Sequence, residues 1–477
     1  MRSGRMKKGA GLVVALLAHP AAAKCCTDPV SRDVVVVGGG AAGAHAAVWL
    51  RDNGHSVTVV EKASQLGGHT TFFRDSASGK PINVGVQAWM EYKDAFSFPE
   101  RMNVSTSGSM SFTMNTAEFI DFTTGLPVEG YAAPTPDELY PALQRYLDAI
   151  SPYEDMVLPG YFNFPDPTSI PEDLLMPFRD FVKKYNLGAA VPQLWDSTVM
   201  GLGDPMDVPT LWVIQASGIP MVKALLGVGA AAVPASGRLY DLYEAVEEFL
   251  GDDVLYSSTV VSAERKEKGV TVQVESATGE VTCIEAKRLL IAFEPTTENM
   301  APFRPDGTEK KVLSKIGYST VYAGILQHPS LQISHAYSDR LPSTVPSNFT
   351  EFPLASQVGS INYIGDTDGL FQFTAVGTDE DTPETMKALI GQSIDAMIEA
   401  GTIPASEGAV AFAAFADHGK VHARVTADDL RSGFIQDLLS LQGHKSTWYT
   451  GAAFSSGFST VLWEYNDVLL PDLVAGL

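Results

Sequence analysis

Cysteine is scarce in this chain, with three in 477 residues. Three thiols cannot build a disulfide framework. Cys25 and Cys26 are adjacent and Cys283 lies in a strand-like run, so all three read as inert thiols. Histidine is thin as well. The nine are scattered, and only His418 and His422 stand four apart, within HGKVHARV, which reads as a strand. With no cysteine or third histidine close by, no metal centre is expected. Positive charge is short: 33 basic residues face 56 acidic ones, a formal net charge of −23. Such a field repels nucleic acid and anionic membrane surfaces and excludes them as partners. Long apolar runs are missing too. The apolar stretch GLVVALLA at 11–18 is too short to cross a bilayer, and nothing later reaches that length. There is no internal repeat or low-complexity tract. What remains is a 45% hydrophobic chain, too long for one ordinary core, with the make-up of a soluble enzyme of two closely joined domains.

Residues 1–23 stand apart. Arg2, Arg5, Lys7 and Lys8 precede the apolar stretch, and a small-residue AAA follows it before Lys24, the pattern of a secretory signal peptide. Its removal takes away four basic residues and no acidic ones, moving the formal charge from −23 to −27. Two sequons, Asn103-Val104-Ser105 and Asn348-Phe349-Thr350, fit that route and make a secreted or lumenal glycoprotein the expectation.

The most informative segment runs from Asp33 to Thr70, DVVVVGGGAAGAHAAVWLRDNGHSVTVVEKASQLGGHT. Four valines predict a buried parallel strand. The chain then turns through Gly38, Gly40 and Gly43 into an alanine-rich helix, and a second strand, SVTVV, ends in Glu61. Glycines allow the tight turn and the close approach of a pyrophosphate to a helix N-terminus, and an acid about 20 residues on accepts ribose hydroxyls. Strand, glycine turn, helix, strand and acid in register predict a Rossmann-type dinucleotide fold of the α/β class.

The rest of the chain alternates. HTTFF and INVGVQAW flank the turn-rich RDSASGKP. PTPDELYPALQRYLDAI and PEDLLMPFRDFVKKY have helical spacing with proline and acids at the start. After the helical SGRLYDLYEAVEEFL come alternating strands with turns at Lys268-Gly269 and Thr278-Gly279, then an all-apolar strand. A mixed α+β region follows, with strand-like YSTVYAGIL and FQFTAVG and helical PETMKALIGQSIDAMIEAG. The chain closes on GAAFSSGFSTVLWEYNDVLL, a small-residue turn feeding a helix. The division read from this is a leader at 1–23, nucleotide-binding pieces at 30–95, 235–300 and 440–477, and substrate-domain pieces at 96–234 and 301–439.

GGGAAG, Glu61, LGGHT at 66–70, INVGVQAW at 82–89 and the terminal LQGHKSTWYTGAAFSSG together resemble the FAD-dependent amine-oxidase-like superfamily over almost the whole chain. That resemblance implies an interleaved FAD-binding domain and substrate domain, and the paired glycines Gly67 and Gly68 favour FAD over NAD. It implies cofactor contacts at Gly38, Gly40, Ala42, Gly43, Glu61, Lys62, Gly67, Gly68, His69, Val86, Gln87, Val260, Gly451, Ala452, Phe458 and Ser459. His69 stands where the family usually has arginine, which suggests covalent FAD through this histidine. Within the superfamily the LGGHT and PINVGVQ pattern is similar to fungal flavoenzymes of the beta-cyclopiazonate dehydrogenase kind. DLLMPFRDFV, LGDPMDVPTLWVI, LSKIGYSTVYAGIL and LQGHKSTWYTG resemble flavin-dependent polyunsaturated fatty-acid isomerases.

Both resemblances imply hydride abstraction from a largely apolar small molecule, so the protein's task is to position the substrate and tune the flavin. In the oxidase case molecular oxygen is an electron acceptor; in the isomerase case the hydride returns to the substrate. A flavin-fold protein that binds without turnover is a third reading, which a disrupted glycine motif or a missing Glu61 would favour; neither occurs. Trp89, Tyr449, Phe458 and Trp463 are candidates for an aromatic cavity wall, Phe458 standing where amine oxidases place a tyrosine. Arg179 is a candidate anchor for a substrate carboxylate. Lys315 invites comparison with the lysine near the flavin of amine oxidases, although EKKVLSKIGYS reads as a solvated helix end. Oligomeric state is left unspecified by the sequence.

Overall fold

The computed structural model describes residues 28–108, 113–353 and 356–477. The leader, Cys25 and Cys26 lie outside the described residues. Val34, Val35 and Val36 are fully buried in the strand Val30–Val37, as a strand covered on both faces requires. It lies between the parallel strands Val57–Val60 and Val281–Ile291. Val281–Ile291 changes neighbour along its length. Its first half pairs antiparallel with Val270–Ser276, and its last three residues pair parallel with Thr447–Tyr449. Val270–Ser276 turns back on Ser258–Arg265, and Val254–Leu255 closes the other edge, completing seven strands. The glycines of the two turns, Gly269 and Gly279, sit at φ of +92° and +80°, which side chains with a Cβ rarely adopt.

A second seven-stranded sheet runs in the order Ala411–Arg424, Gly317–Gln327, Phe371–Gly377, Gln357–Tyr363, His335–Asp339, Thr116–Asp121, Leu126–Pro127. All its pairings are antiparallel except that of His335–Asp339 with Thr116–Asp121. Helix Pro383–Glu399 covers one face. Met386, Ile390, Ile394 and Met397 recur at helical spacing and are fully buried with Ile361, Phe371 and Phe373 of the sheet. Each such side chain contributes about 1.5–3 kcal/mol of burial. The antiparallel hairpin Thr70–Arg74 and Pro81–Gly85 joins the two halves of the molecule. It follows the Gly67-Gly68 turn, and its Ile82 and Val84 pack with Ala323 and Ile325 of the second sheet.

PEDLLMPFRDFVKKY does not form one helix. Met176 is extended at ψ 151°, separating Glu172–Leu175 from Phe178–Tyr185. The cause is Pro177, whose ring disfavours helical backbone at the residue before it. Cys283 is disulfide-bonded, which corrects the expectation of an inert thiol. Among the described residues no helix is long and apolar enough to cross a membrane.

Candidate functional site

The chain leaves its first strand through Gly38 at φ +101°, where an added Cβ would stand 2.7 Å from the Ala292 carbonyl oxygen. Helix Ala41–Asp52 follows with Gly40 at its N-cap, no side-chain cap and no acid in its first turn. Its first backbone bond is Ala44 N–H to Gly40 O at 2.9 Å, so the amides of Ala41, Ala42 and Gly43 point outward for an anion. A Cβ on Gly43 would fall 1.9 Å from Gly38 O. Glu61, at the end of the neighbouring strand, is 6% exposed. Its carboxylate accepts the amides of Gly39 at 2.6 Å and Ala63 at 2.7 Å, and each oxygen keeps a lone pair for a further donor. The Gly67 amide donates to Gly39 O at 2.9 Å, and a Cβ on Gly68 would lie 3.0 Å from Gly40 Cα. The second glycine pair is thereby clamped onto the first.

The end of the chain returns to this place. After Thr447–Tyr449 it passes Gly451 at φ +120° and half-buried Ala452, then Phe458, the N-cap of helix Ser459–Val474. That helix also starts without a side-chain cap, and the Thr460 hydroxyl is buried without a partner. Asn466 latches the last helix to the first: its amide donates to Ala42 O at 2.7 Å and its carbonyl accepts from Thr450 Oγ1 at 2.6 Å. Two capless helix starts, glycines with no room for a Cβ and a buried acid with spare acceptor capacity fit FAD. Val260 and Ser459 are buried, Val86 and Phe458 half-buried, and Lys62 and Gln87 exposed. Gln87 donates to Asn83 O and Gly85 O, each at 3.1 Å.

Of the candidate catalytic side chains, few are free. Trp89 is 1% exposed and meets Trp463 edge-on at 5.8 Å, and Trp463 packs on Phe98 at 5.1 Å. Both indoles belong to the core around the first helix, with their N–H groups unpartnered. The Tyr449 hydroxyl donates to Glu309 at 2.6 Å, and burial pushes its pKa up. Arg179 is an exposed surface residue whose Nε donates to Asp207 at 2.7 Å. Lys315 pairs with Asp429 at 2.8 Å. These two cations are engaged outside the cofactor cradle.

Three histidines and one acid outside those candidates carry shifted pKa values. Water reaches His69, yet protein surrounds it so closely that desolvation lowers its pKa. Its ring lies 4.9 Å from that of His418, a buried residue whose Nε2 has no partner and whose pKa burial lowers to about 3. His422 is half-buried and lowered by burial to about 4. The sequence signal was the four-residue spacing, which in a helix would suggest a metal pair and here belongs to the strand Ala411–Arg424. Glu294, three residues past the apolar strand, has an unpartnered Oε2, and desolvation raises its pKa to about 8. The unpartnered hydroxyl of Tyr318 feels its charge. One cluster among the described residues has metal-ligand spacing, Asp306, Glu309 and His444 within 4.8 Å. Its carboxylates are already engaged, Asp306 by His444 and Lys445 and Glu309 by Arg265 and Tyr449.

Residues 36–101 match the family model of an NAD(P)-binding Rossmann-like domain. An FAD-dependent oxidoreductase of Monascus ruber, pigF, is 33% identical over 94% of this chain and 93% of its own length. Beta-cyclopiazonate dehydrogenase of Aspergillus oryzae is 32% identical over 94% of each. Among solved structures, a conjugated-linoleic-acid-producing fatty acid isomerase from P. acnes superposes with a TM-score of 0.69 at 16% identity, over 93% of this chain and 99% of that one. Putrescine oxidase superposes with a TM-score of 0.60 at 17% identity, over 94% and 100%; these two show the shared fold. With a nucleotide cradle built from both ends of the chain and a relative one-third identical along nearly all of it, this chain belongs to the family of FAD-dependent oxidoreductases.

Proposed function

We propose that this enzyme removes hydride from a largely apolar small molecule of secondary metabolism. The observation that carries this is the cofactor cradle, with exposed His69 and the unpartnered Nε2 of His418 beside its Gly67-Gly68 turn; the substrate cavity is proposed at that point. FAD, when bound, supplies the two-electron acceptor. The hairpin Thr70–Gly85 packs on the second sheet through Ile82 and Val84, and Val321 lies near His422, which supplies apolar surface at that point. Glu294, its pKa raised to about 8, holds a proton at neutral pH and can exchange it with substrate at Oε2. The relatives support a secondary-metabolite substrate, since one is named for cyclopiazonate. Turnover consumes an acceptor, oxygen or another, in proportion to product. Strictly anaerobic assays across alkaloid, polyketide and polyunsaturated fatty-acid panels test this. Sustained multiple turnovers without any acceptor, read as conjugated-diene absorbance, would establish the redox-neutral isomerase in its place.

Covalent attachment of FAD through His69 is part of the proposal. Its ring is reached by water and directly follows the glycine pair packed on Gly40. A bond from an imidazole nitrogen to the flavin's ring methyl would release two protons and two electrons, which oxygen would accept as hydrogen peroxide. Flavin should then stay with the pellet on trichloroacetic acid precipitation and be released from His69→Ala. Free FAD in the wild-type supernatant would reduce His69 to a noncovalent contact. We also propose secretory-pathway entry, supported by the leader pattern and the two sequons.

A further inference from the structure

Strand Ala411–Arg424 ends on a guanidinium that only neutral groups hold. Arg424 donates Nη1 to His422 O at 3.0 Å and Nη2 to Ser319 Oγ at 3.1 Å. Among the described residues it makes no ion pair; the acid it feels is Asp379, whose carboxylate is held by Lys420. Burial disfavours its charge. Leaving such a cation without a counter-charge is unfavourable.

Glycines flank both Arg424 and His422. Gly201 approaches the His422 ring so closely that a Cβ would stand 2.3 Å from it, and a Cβ on Gly203 would lie 3.7 Å from Arg424 Nη2. His422 senses both Arg424 and His69, and the rings of His69 and His418 lie 4.9 Å apart at a tilt of 58°, so the three histidines connect Arg424 with the cofactor turn. Burial keeps His418 and His422 uncharged at neutral pH. Near His69 the charged groups are exposed Lys62 and Asp417, the latter accepting from the Gly419 amide at 2.8 Å. Arg424 is thus the fixed positive end of an otherwise neutral, part-apolar wall. A planar guanidinium takes an oxyanion through paired N–H donors, and a neutral imidazole N–H adds a third.

We propose that Arg424, with His422, binds an anionic oxygen group of the substrate, a carboxylate or acidic enolate, while the apolar remainder runs along the three histidines toward the flavin. This rests on reading the cavity as the substrate site. The test titrates holoenzyme with decanoate, benzoate and the uncharged isostere decanol, following perturbation of the flavin spectrum. The carboxylates should bind saturably and decanol at least tenfold more weakly than decanoate. Arg424→Gln should weaken decanoate at least tenfold without changing decanol, and Arg424→Lys should fall between. If decanoate and decanol bind equally, or Arg424→Gln binds decanoate like wild type, the anion site is overturned while the cavity stands. If none of the three perturbs the flavin, the cavity reading falls and this site with it. Should Arg424→Gln not fold, the decanoate and decanol comparison on wild type decides.

Discussion

Glu61 and Glu294 are both acids at the ends of buried strands, and only one could be found by reading. Glu61 stands at a set spacing from the glycine turn, because one helix and one strand must intervene, and counting locates it. Glu294 has no such marker. Its character comes from what is packed around it, which desolvates the carboxyl and raises its pKa from 4.5 to about 8. The folded-state pKa exceeds the unfolded one, so its stabilising contribution is complete below the unfolded pKa and is lost as pH rises through about 8. The melting temperature of wild type should therefore fall between about pH 5 and pH 8 more steeply than that of Glu294→Gln. Asp339, raised to about 7, and Asp467, raised to about 6, act in the same direction in both proteins and cancel in the comparison. Parallel melting profiles would show that Glu294 is ionised throughout.

At the scale of elements, periodicity located helices well and junctions poorly. Pro136–Ile150 and Pro383–Glu399 follow their apolar spacing, whereas the break at Met176 follows the backbone clash of the next proline. Strand Thr447–Tyr449 is three residues long, and its seat depends on a contact no local pattern encodes. Arg265 and Glu309 form a fully buried bidentate pair at 2.5 and 2.8 Å, and Tyr449 donates to the same carboxylate. Three separate segments meet there. Glu309→Ala leaves Arg265 buried and uncompensated and should cost about 3–5 kcal/mol in urea unfolding. A loss under about 1 kcal/mol would assign the seating of this strand to the surrounding apolar packing instead.

For the whole molecule, the acidic charge of −23 and the leader pattern concern route and solubility, not chemistry. Asn103 and Asn348 are both exposed, as glycan acceptors must be. Protein recovered from a fungal secretory host should therefore lose mass on treatment with peptide N-glycosidase, and an unchanged mass would remove the sequons as support for that route. The cofactor cradle was legible before folding, because pyrophosphate and ribose are met by a contiguous strand, turn, helix and strand whose spacings are set by covalent geometry. So was the alternation of sheet and helix, through residue periodicity. Which polar side chains are taken up by the core and which stay without a partner was settled only when the chain folded. Tyr449 and Trp463, aromatic and near flavin motifs in sequence, are spent on the core, while His418 and Glu294 keep polar atoms without a partner and Arg424 has no acid partner among the described residues. Burial, ion pairing and its absence are properties of neighbours in space, and residues more than a hundred positions apart become neighbours only when the two sheets close on each other.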